Sequence, residues 1–361
     1  MDFEFSEEQQ QFGEAARRLL AEQASSQKMR LSLASHAAGY DHDLWRGVAD
    51  MGLLGIMIPE RFGGLGLDGL ELCVVAVEMG RMLPRIPWSS SVYFAAEMLV
   101  RAGTAVQQER WLPSMANGSA IGAYAEGPAP EMSGERLSSV LPVVEDGGHA
   151  DFLILSTPEG AWLIDMTSAG VIRSNVETFD PLKPAVRIEL SAVAAEPLPG
   201  ASIDVVARVM ERAAVATAFE QVGGAEQMLA MATAYAKDRK AFGRPIGTFQ
   251  AVKALLADMY VAATLARSNA YYAAWTMAEA PDLLPKAAAI ARLSATEAYR
   301  LCAANAIQVH GGIGFTWELD CHFHYRRAHA LALALGGIRP WQEKFVEAMR
   351  AERQAGRGVM A

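Results

Sequence analysis

Short β-rich runs lie between two long helical stretches, and that order limits the fold more than any other feature. SSVLPVV, DFLILST, GAWLIDM and AVRIEL fall between Ile121 and Pro199, separated by Gly, Asp, Pro and Glu. Such runs, bounded by turn formers, read as strands. Upstream, apolar residues recur at helical spacing. Phe12, Ala16, Leu19 and Leu20 follow Ser6, a plausible N-cap. Leu44, Trp45, Val48 and Met51 mark a second helix that stops at Gly52. LLGIMIPERFGGLGL, broken by Pro59, Gly63, Gly64 and Gly66, reads as a tight, exposed turn. Leu70 to Arg81 and Ser89 to Ala102 read as helices again. Beyond residue 204 the text is alanine-rich and helical, up to a tail, AGRGVMA, expected to be loose. Alternating βαβ does not fit, and no GxGxxG follows a strand. The expected fold is α+β and mostly α. A helical domain over 1–118 precedes a small middle β-domain over 119–203 and a C-terminal helical bundle over 204–361.

Composition narrows the function classes. Of 361 residues, 52% are hydrophobic and 20% charged. The charged share is below the usual quarter, which fits a chain that hides surface in an oligomer. A net charge of -9 argues against a general nucleic-acid binder, whose affinity comes from neutralising phosphates. A phosphate-bearing small ligand remains open, since a few local arginines suffice. Cys73, Cys302 and Cys321 form no CxxC and read as reduced thiols. The start MDFEFSEEQQQF has no basic n-region or apolar h-region, and no apolar run is long enough to span a bilayer. No membrane partner is expected, and the expected location is cytoplasmic. His322 and His324 on one helix would point to different sides, so no metal site is expected.

Two motifs carry more information: RKAFGRPIGTFQ, Arg239 to Gln250, and QVHGGIGFTWE, Gln308 to Glu318. Alone, Arg239 is a surface arginine at a helix end, FGRPIG a turn between helices, and HGGIG a loop. Together, with LWRGVADMGLLGIMIPERFGGLGL upstream, they resemble the acyl-CoA dehydrogenase family over nearly the whole chain. That resemblance implies a C-terminal four-helix bundle that oligomerises, FAD as cofactor, and α,β-desaturation of an acyl-CoA substrate. Electron-transfer flavoprotein is the implied acceptor. Arg239 would place its fork of donors on the FAD pyrophosphate. Phe242 would pack on the adenosine end, with Gly243 letting the chain turn away. Gln250 would reach the ribityl or pyrophosphate region. Gln308 and the backbone of Gly311 and Gly312 would meet the ADP moiety, where glycine permits close approach. In the family these groups serve the flavin of a neighbouring subunit. The implied assembly is a homo- or hetero-oligomer with an acyl-CoA dehydrogenase paralogue.

The catalytic carboxylate departs from the family pattern. A desolvated Glu must take the α-proton while the flavin accepts the β-hydride. The position most members use holds Leu335, followed by Gly336. The alternative position, on the first helix of the C-terminal domain, falls near Ala213. Glu211 lies two residues away. Glu220 lies seven residues on, on the same helical face, in the apolar text AVATAFEQVGGA. It is the candidate base, weighed against a Glu that pairs with a cation. The middle domain departs too: YAEGP stands where the family has a hydroxyl before Glu-Pro, and the strand motif that covers the flavin has no match. The groups for a neighbour's FAD tail are kept, while those for the chain's own flavin ring are weakened. This pattern resembles the short chains of heteromeric dehydrogenases acting on steroid or other bulky side-chain CoA thioesters. A non-catalytic partner that completes a paralogue's FAD site, and a flavin monooxygenase on the same scaffold, are the alternatives.

Overall fold

The computed structural model describes residues 6–34 and 39–354; the AGRGVMA tail lies outside them. The first part carries α1 (Glu7–Gln23), α2 (Ser26–Ala34), α3 (His42–Asp50), α4 (Gly69–Met82), α5 (Glu97–Ala102) and α6 (Ala105–Ala116). Then come β1 (Gly122–Glu126), β2 (Glu131–Ser133), β3 (Arg136–Glu145), β4 (Phe152–Thr157), β5 (Gly160–Asp165), β6 (Val171–Val176), β7 (Ala185–Ala194) and β8 (Glu196–Pro197). The last part is α7 (Ile203–Asp238), the short strands β9 (Lys240–Ala241) and β10 (Arg244–Pro245), α8 (Gln250–Glu279), α9 (Leu284–His310), α10 (Cys321–Leu333) and α11 (Arg339–Gln354). N-terminal helices, middle strands and a C-terminal bundle match the expected fold class.

Local chemistry accounts for several boundaries. Ser6 Oγ accepts from Gln9 N at 3.2 Å and Gln9 Oε1 from Ser6 N at 3.0 Å, a capping box for α1. Asp41 caps α3 through Leu44 N at 3.0 Å. Thr104 and Gln107 form a second capping box on α6. Two stretches differ from the sequence reading. The glycine-rich turn after α3 is packed rather than exposed: Leu53, Leu54, Ile56 and Ile58 are buried. A Cβ on Gly64 would lie 2.0 Å from the Ile58 carbonyl oxygen, so the glycine answers close packing. The expected helix from Ser89 opens as a π-helix over Ser89–Ala96. Its buried serines turn inward, Ser90 to Asp146 at 2.7 Å and Ser91 to Gly122 O at 3.1 Å. Such side-chain bonds compete with a regular helical ladder.

Contacts divide the chain into two compact units, Arg18–Leu72 with Pro84–Ala213, and Met1–Arg17 with Cys73–Leu83 and Ala214–Ala361. The first unit holds two four-stranded sheets, ordered β1-β4-β5-β8 and β2-β3-β7-β6. β1 pairs with β4 in parallel, and the other neighbours are antiparallel. β4 is buried on both faces. Phe152 and Ile154 join Leu112 and Met115, while Leu153 and Leu155 join Leu141 and Ile188 of the second sheet. That double burial explains why DFLILST is nearly continuous in apolar residues.

In the second unit, α7, α8, α9 and α10 share one core. Ala225, Met228, Ala232, Met259, Ala263, Ala303, Ala306 and Ala328 lie in it. Alanine at these positions lets helix axes approach closely. The crossing of α4 and α7 is tighter still, since a Cβ on Gly80 would lie 1.7 Å from the Glu220 carbonyl oxygen.

Candidate functional site

The first motif begins where α7 ends. Lys240–Ala241 and Arg244–Pro245 form a two-stranded hairpin with Ala241 opposite Arg244. Its turn residues, Phe242 and Gly243, have φ of 53° and 77°. Left-handed conformation at both central residues matches the twist of a tight hairpin and strains the phenylalanine. FGRPIG is therefore a hairpin and a 3-10 turn, rather than a plain turn between helices. Phe242 is 95% exposed, with its ring edge-on to Phe249 at 6.2 Å. The Arg244 guanidinium lies 4.3 Å from the Phe249 ring centroid. Ile246 N donates to Arg239 O at 2.8 Å, closing the hairpin base. Arg239 itself is exposed, just beyond α7. Gln250 is exposed and opens α8, whose N-cap Phe249 supplies no side-chain cap. The first amides of α8 therefore lack that partner, as at helix starts that bind anions.

The second motif lies beside the first. The Tyr235 ring of α7 meets His310 of α9, with centroids 4.4 Å apart. His310 Nδ1 is 2.7 Å from Ala306 O. Ile246 and Val252, from the first motif's end, pack on the same core as Ala306 and Val309. Gln308 is exposed on the last turn of α9. Gly311 has φ 66° and ψ -140°, a conformation that favours glycine. A Cβ on Gly311 or Gly312 would meet nothing within 4 Å. At Gly312, the chain's own packing gives no reason for glycine. The structure thus gathers the elements of Arg239, Phe242, Gln250, Gln308, Gly311 and Gly312 around one core, with their polar groups and open backbone exposed.

Glu220 has a different setting. It is 2% exposed, and its Oε1 lies 3.3 Å from Nη1 of Arg327, which is 1% exposed. Arg292 is buried next to this pair. It donates to Gln221 Oε1 at 2.8 Å, Thr296 Oγ1 at 2.9 Å, Ala334 O at 2.9 Å and Leu331 O. Burial pulls the Arg292 guanidinium down to about 10, partly offset by the charge of Glu220. His324 Nδ1 is 2.8 Å from the Tyr299 hydroxyl. Burial first, then the charges of Arg327 and Arg81, push His324 down to about 3. Oε1 of Glu220 is thus engaged by a buried guanidinium rather than facing open space. Glu211, in the other unit, is also buried and lies 3.4 Å from Arg208.

Leu335 occupies a sharp turn after α10, with φ 59° and ψ 35°. Gly336 and Gly337 follow at φ 80° and 79°. Trp341 Nε1 donates to Leu335 O at 2.9 Å, and the Arg292 bonds to Leu331 O and Ala334 O hold the other side. The sequence reading missed both clamps. The available signal was a lone arginine within the apolar text AAAIARLSAT. Tyr124, in YAEGP, stacks on Phe94 at 5.0 Å. Burial and then the charge of Glu126 raise its phenol. Among the described residues, no group of three or more His, Cys, Asp or Glu could hold a metal ion. No described helix is long and apolar enough to cross a membrane.

The acyl-CoA dehydrogenase N-terminal domain model matches residues 6–119, and the C-terminal domain model matches residues 203–338. The chain belongs to the acyl-CoA dehydrogenase family. It is 35% identical to acyl-CoA dehydrogenase IpdE2 of Mycobacterium tuberculosis over 91% of this chain and 93% of that protein. Among solved structures, it resembles the ChsE4–ChsE5 complex of Mycobacterium tuberculosis with a TM-score of 0.89 and 29% identity. That match covers 97% of this chain and 99% of the other. It also resembles the Tcur3481–Tcur3483 steroid ACAD, with a TM-score of 0.86, 28% identity, and coverage of 97% and 99%. In this chain the exposed motifs and the buried charged core around Glu220 lie on the same helical bundle.

Proposed function

We propose that this chain is a subunit of an FAD-dependent acyl-CoA dehydrogenase that desaturates the α,β bond of a bulky acyl-CoA thioester. Its bundle binds the diphosphate end of the flavin, and a paralogous chain supplies the catalytic carboxylate. The observation that carries this reading is Leu335 held in a clamped turn while the Arg239 and Gly311–Gly312 groups stay open. The residues present fit FAD. Gly311 and Gly312 leave room for a ligand to reach backbone amides, and Arg239 offers a guanidinium for a diphosphate. When bound, the flavin accepts the β-hydride. Gln250 and Gln308 orient the cofactor tail by hydrogen bonds, and Phe242 covers its adenosine end. A steroid or other bulky side-chain CoA thioester is the proposed substrate class, following the steroid dehydrogenase neighbour. Electron-transfer flavoprotein is the proposed acceptor, in the cytoplasm.

Pairing with a paralogue is supported by the two-protein complexes among the structural neighbours. The outer side of α8 adds a physical reason, because Tyr260, Val261 and Leu265 are exposed apolar residues along it. A narrower reading, in which this chain contributes no catalytic group, is favoured by the Glu220–Arg327 pair.

The test is the visible absorption spectrum of the chain purified alone and with a co-expressed paralogue that carries the carboxylate. Little FAD alone, and FAD bleached by acyl-CoA in the complex, is the expected result. Full FAD and turnover from the lone chain would sink the proposal and return Glu220 as the base.

A further inference from the structure

The text from Lys237 to Gln250 carries four cations, Lys237, Arg239, Lys240 and Arg244, against one carboxylate, Asp238, in a chain whose net charge is -9. All five are exposed, and none has an ion pair among the described residues. The hairpin sets two of the cations side by side. Arg244 lies opposite Ala241, and Ile246 N donates to Arg239 O. Arg239, Ala241 and Arg244 therefore fall on one face. Diagonal positions on such a face are roughly 7–8 Å apart, so two long side chains there can share one diphosphate. Stacking on Phe249 holds the Arg244 guanidinium at the turn, and the Phe242 ring stands in solvent beside Phe249. Across the shared core, the backbone of Gly311 and Gly312 has open space above it. All these groups belong to a single chain and to one compact unit.

We infer that the lone chain binds a free nucleoside diphosphate here, so that ADP competes with FAD for the assembling enzyme. The inference rests on the flavin-tail reading above and adds Arg244, which the motifs left out. Arg239 and Arg244 take one phosphate each through charge-assisted bonds, and the base lies on Phe242. Stacking accepts any base, so the diphosphate sets the ligand class and ADP serves as its probe. None of these groups is assigned to the flavin ring. The binding they supply is therefore open to a ligand that lacks the ring, and it needs no second chain. AMP keeps the base but offers one phosphate to two guanidiniums. Pyrophosphate keeps both phosphates but has nothing to lay on Phe242.

The test is isothermal titration of the full chain, purified alone, with ADP, AMP and sodium pyrophosphate. ADP is expected to saturate one site per chain and to bind about tenfold more tightly than AMP, the size of one charge-assisted contact. Arg244→Gln is expected to bring ADP down to the level of AMP. Phe242→Ser is expected to weaken ADP about tenfold and leave pyrophosphate unchanged. Both positions are exposed, so the melting temperature of each variant should stay at the wild-type value. In the co-expressed complex stripped of flavin, excess ADP is expected to slow FAD uptake. No saturable ADP binding, equal binding of ADP and AMP, no effect of Arg244→Gln, or FAD uptake indifferent to ADP would each overturn the inference. A complex that takes up FAD beside a lone chain that ignores ADP would sink this inference alone. A complex that takes up no FAD would overturn the flavin reading and this inference with it.

Discussion

The exposed motifs and the core around Glu220 lie on the same bundle and use the same residue types in opposite ways. Arg239 is exposed beyond α7, beside backbone that has room for a ligand. Arg292 and Arg327 are buried, and Arg292 bonds both side chains and carbonyls. Arg239, the proposed diphosphate contact, has no side-chain bond among the described residues, whereas Arg292 is surrounded by acceptors. The same contrast separates glycines. Gly80 is required by a helix crossing, while nothing in the chain's own packing fills the space over Gly312.

The strongest way to break this comparison is Arg292→Met. It removes a donor from Gln221, Thr296 and two carbonyls, and leaves Glu220 and Arg327 beside a new apolar group. Loss of about 3–5 kcal/mol in urea unfolding is expected, the scale for breaking a buried charged network. A loss under about 1 kcal/mol would mean that the network does not hold the turn. Glu220→Gln comes next. Removing the charge leaves Arg327 without its carboxylate, with an expected loss of about 3 kcal/mol. If Glu220 were the base, the same variant would abolish turnover while unfolding at the wild-type urea concentration. That outcome would merge the two regions into one site.

Arg239→Gln probes the open side. Loss of a guanidinium–diphosphate contact is expected to weaken FAD binding to the assembled enzyme by about 2 kcal/mol. Stability should stay within about 0.5 kcal/mol, as for exposed positions. Equal losses in both readouts would place Arg239 with the structural arginines. His324 sharpens the closed side through pH. Its folded pKa of about 3 lies below the unfolded value. Only the unfolded chain therefore takes up the proton between the two, and stability falls as pH drops below about 6.5. At pH 5 this single group costs about 2 kcal/mol. His324→Phe is expected to flatten that slope in urea titrations at pH 7 and 5; an unchanged slope would count against a buried neutral imidazole. Smallest is Gly312→Ala, expected to weaken FAD binding by about 1 kcal/mol while leaving the melting temperature in place.

Much of the open side was legible in the sequence because it consists of local chemistry. RKAFGRPIGTFQ and QVHGGIGF are contiguous, and each sets its own turn. Their pairing needed Tyr235 and His310, contacts that no local pattern specifies. The core around Glu220 was less legible. Glu220 in apolar text could be a buried base or a paired anion, and its partner lies 107 residues away. Arg292 was overlooked because a single arginine in an alanine-rich helix looks like an ordinary exposed position until the helices pack. The glycine-rich turn after α3 shows the same limit. Glycine content marks a turn, but only the Ile58 carbonyl shows that the turn is packed.

By itself, the sequence determined the helix–strand–helix order, several helix ends and the family motifs. These depend on periodicity and on residues a few positions apart. Tertiary structure alone decided that Glu220 is engaged by Arg327, that Arg292 and Trp341 clamp the Leu335 turn, and that the ends of α7 and α9 meet. Those outcomes depend on which distant groups share a low-dielectric interior, where an unpaired charge is costly and each buried polar group must find its partner.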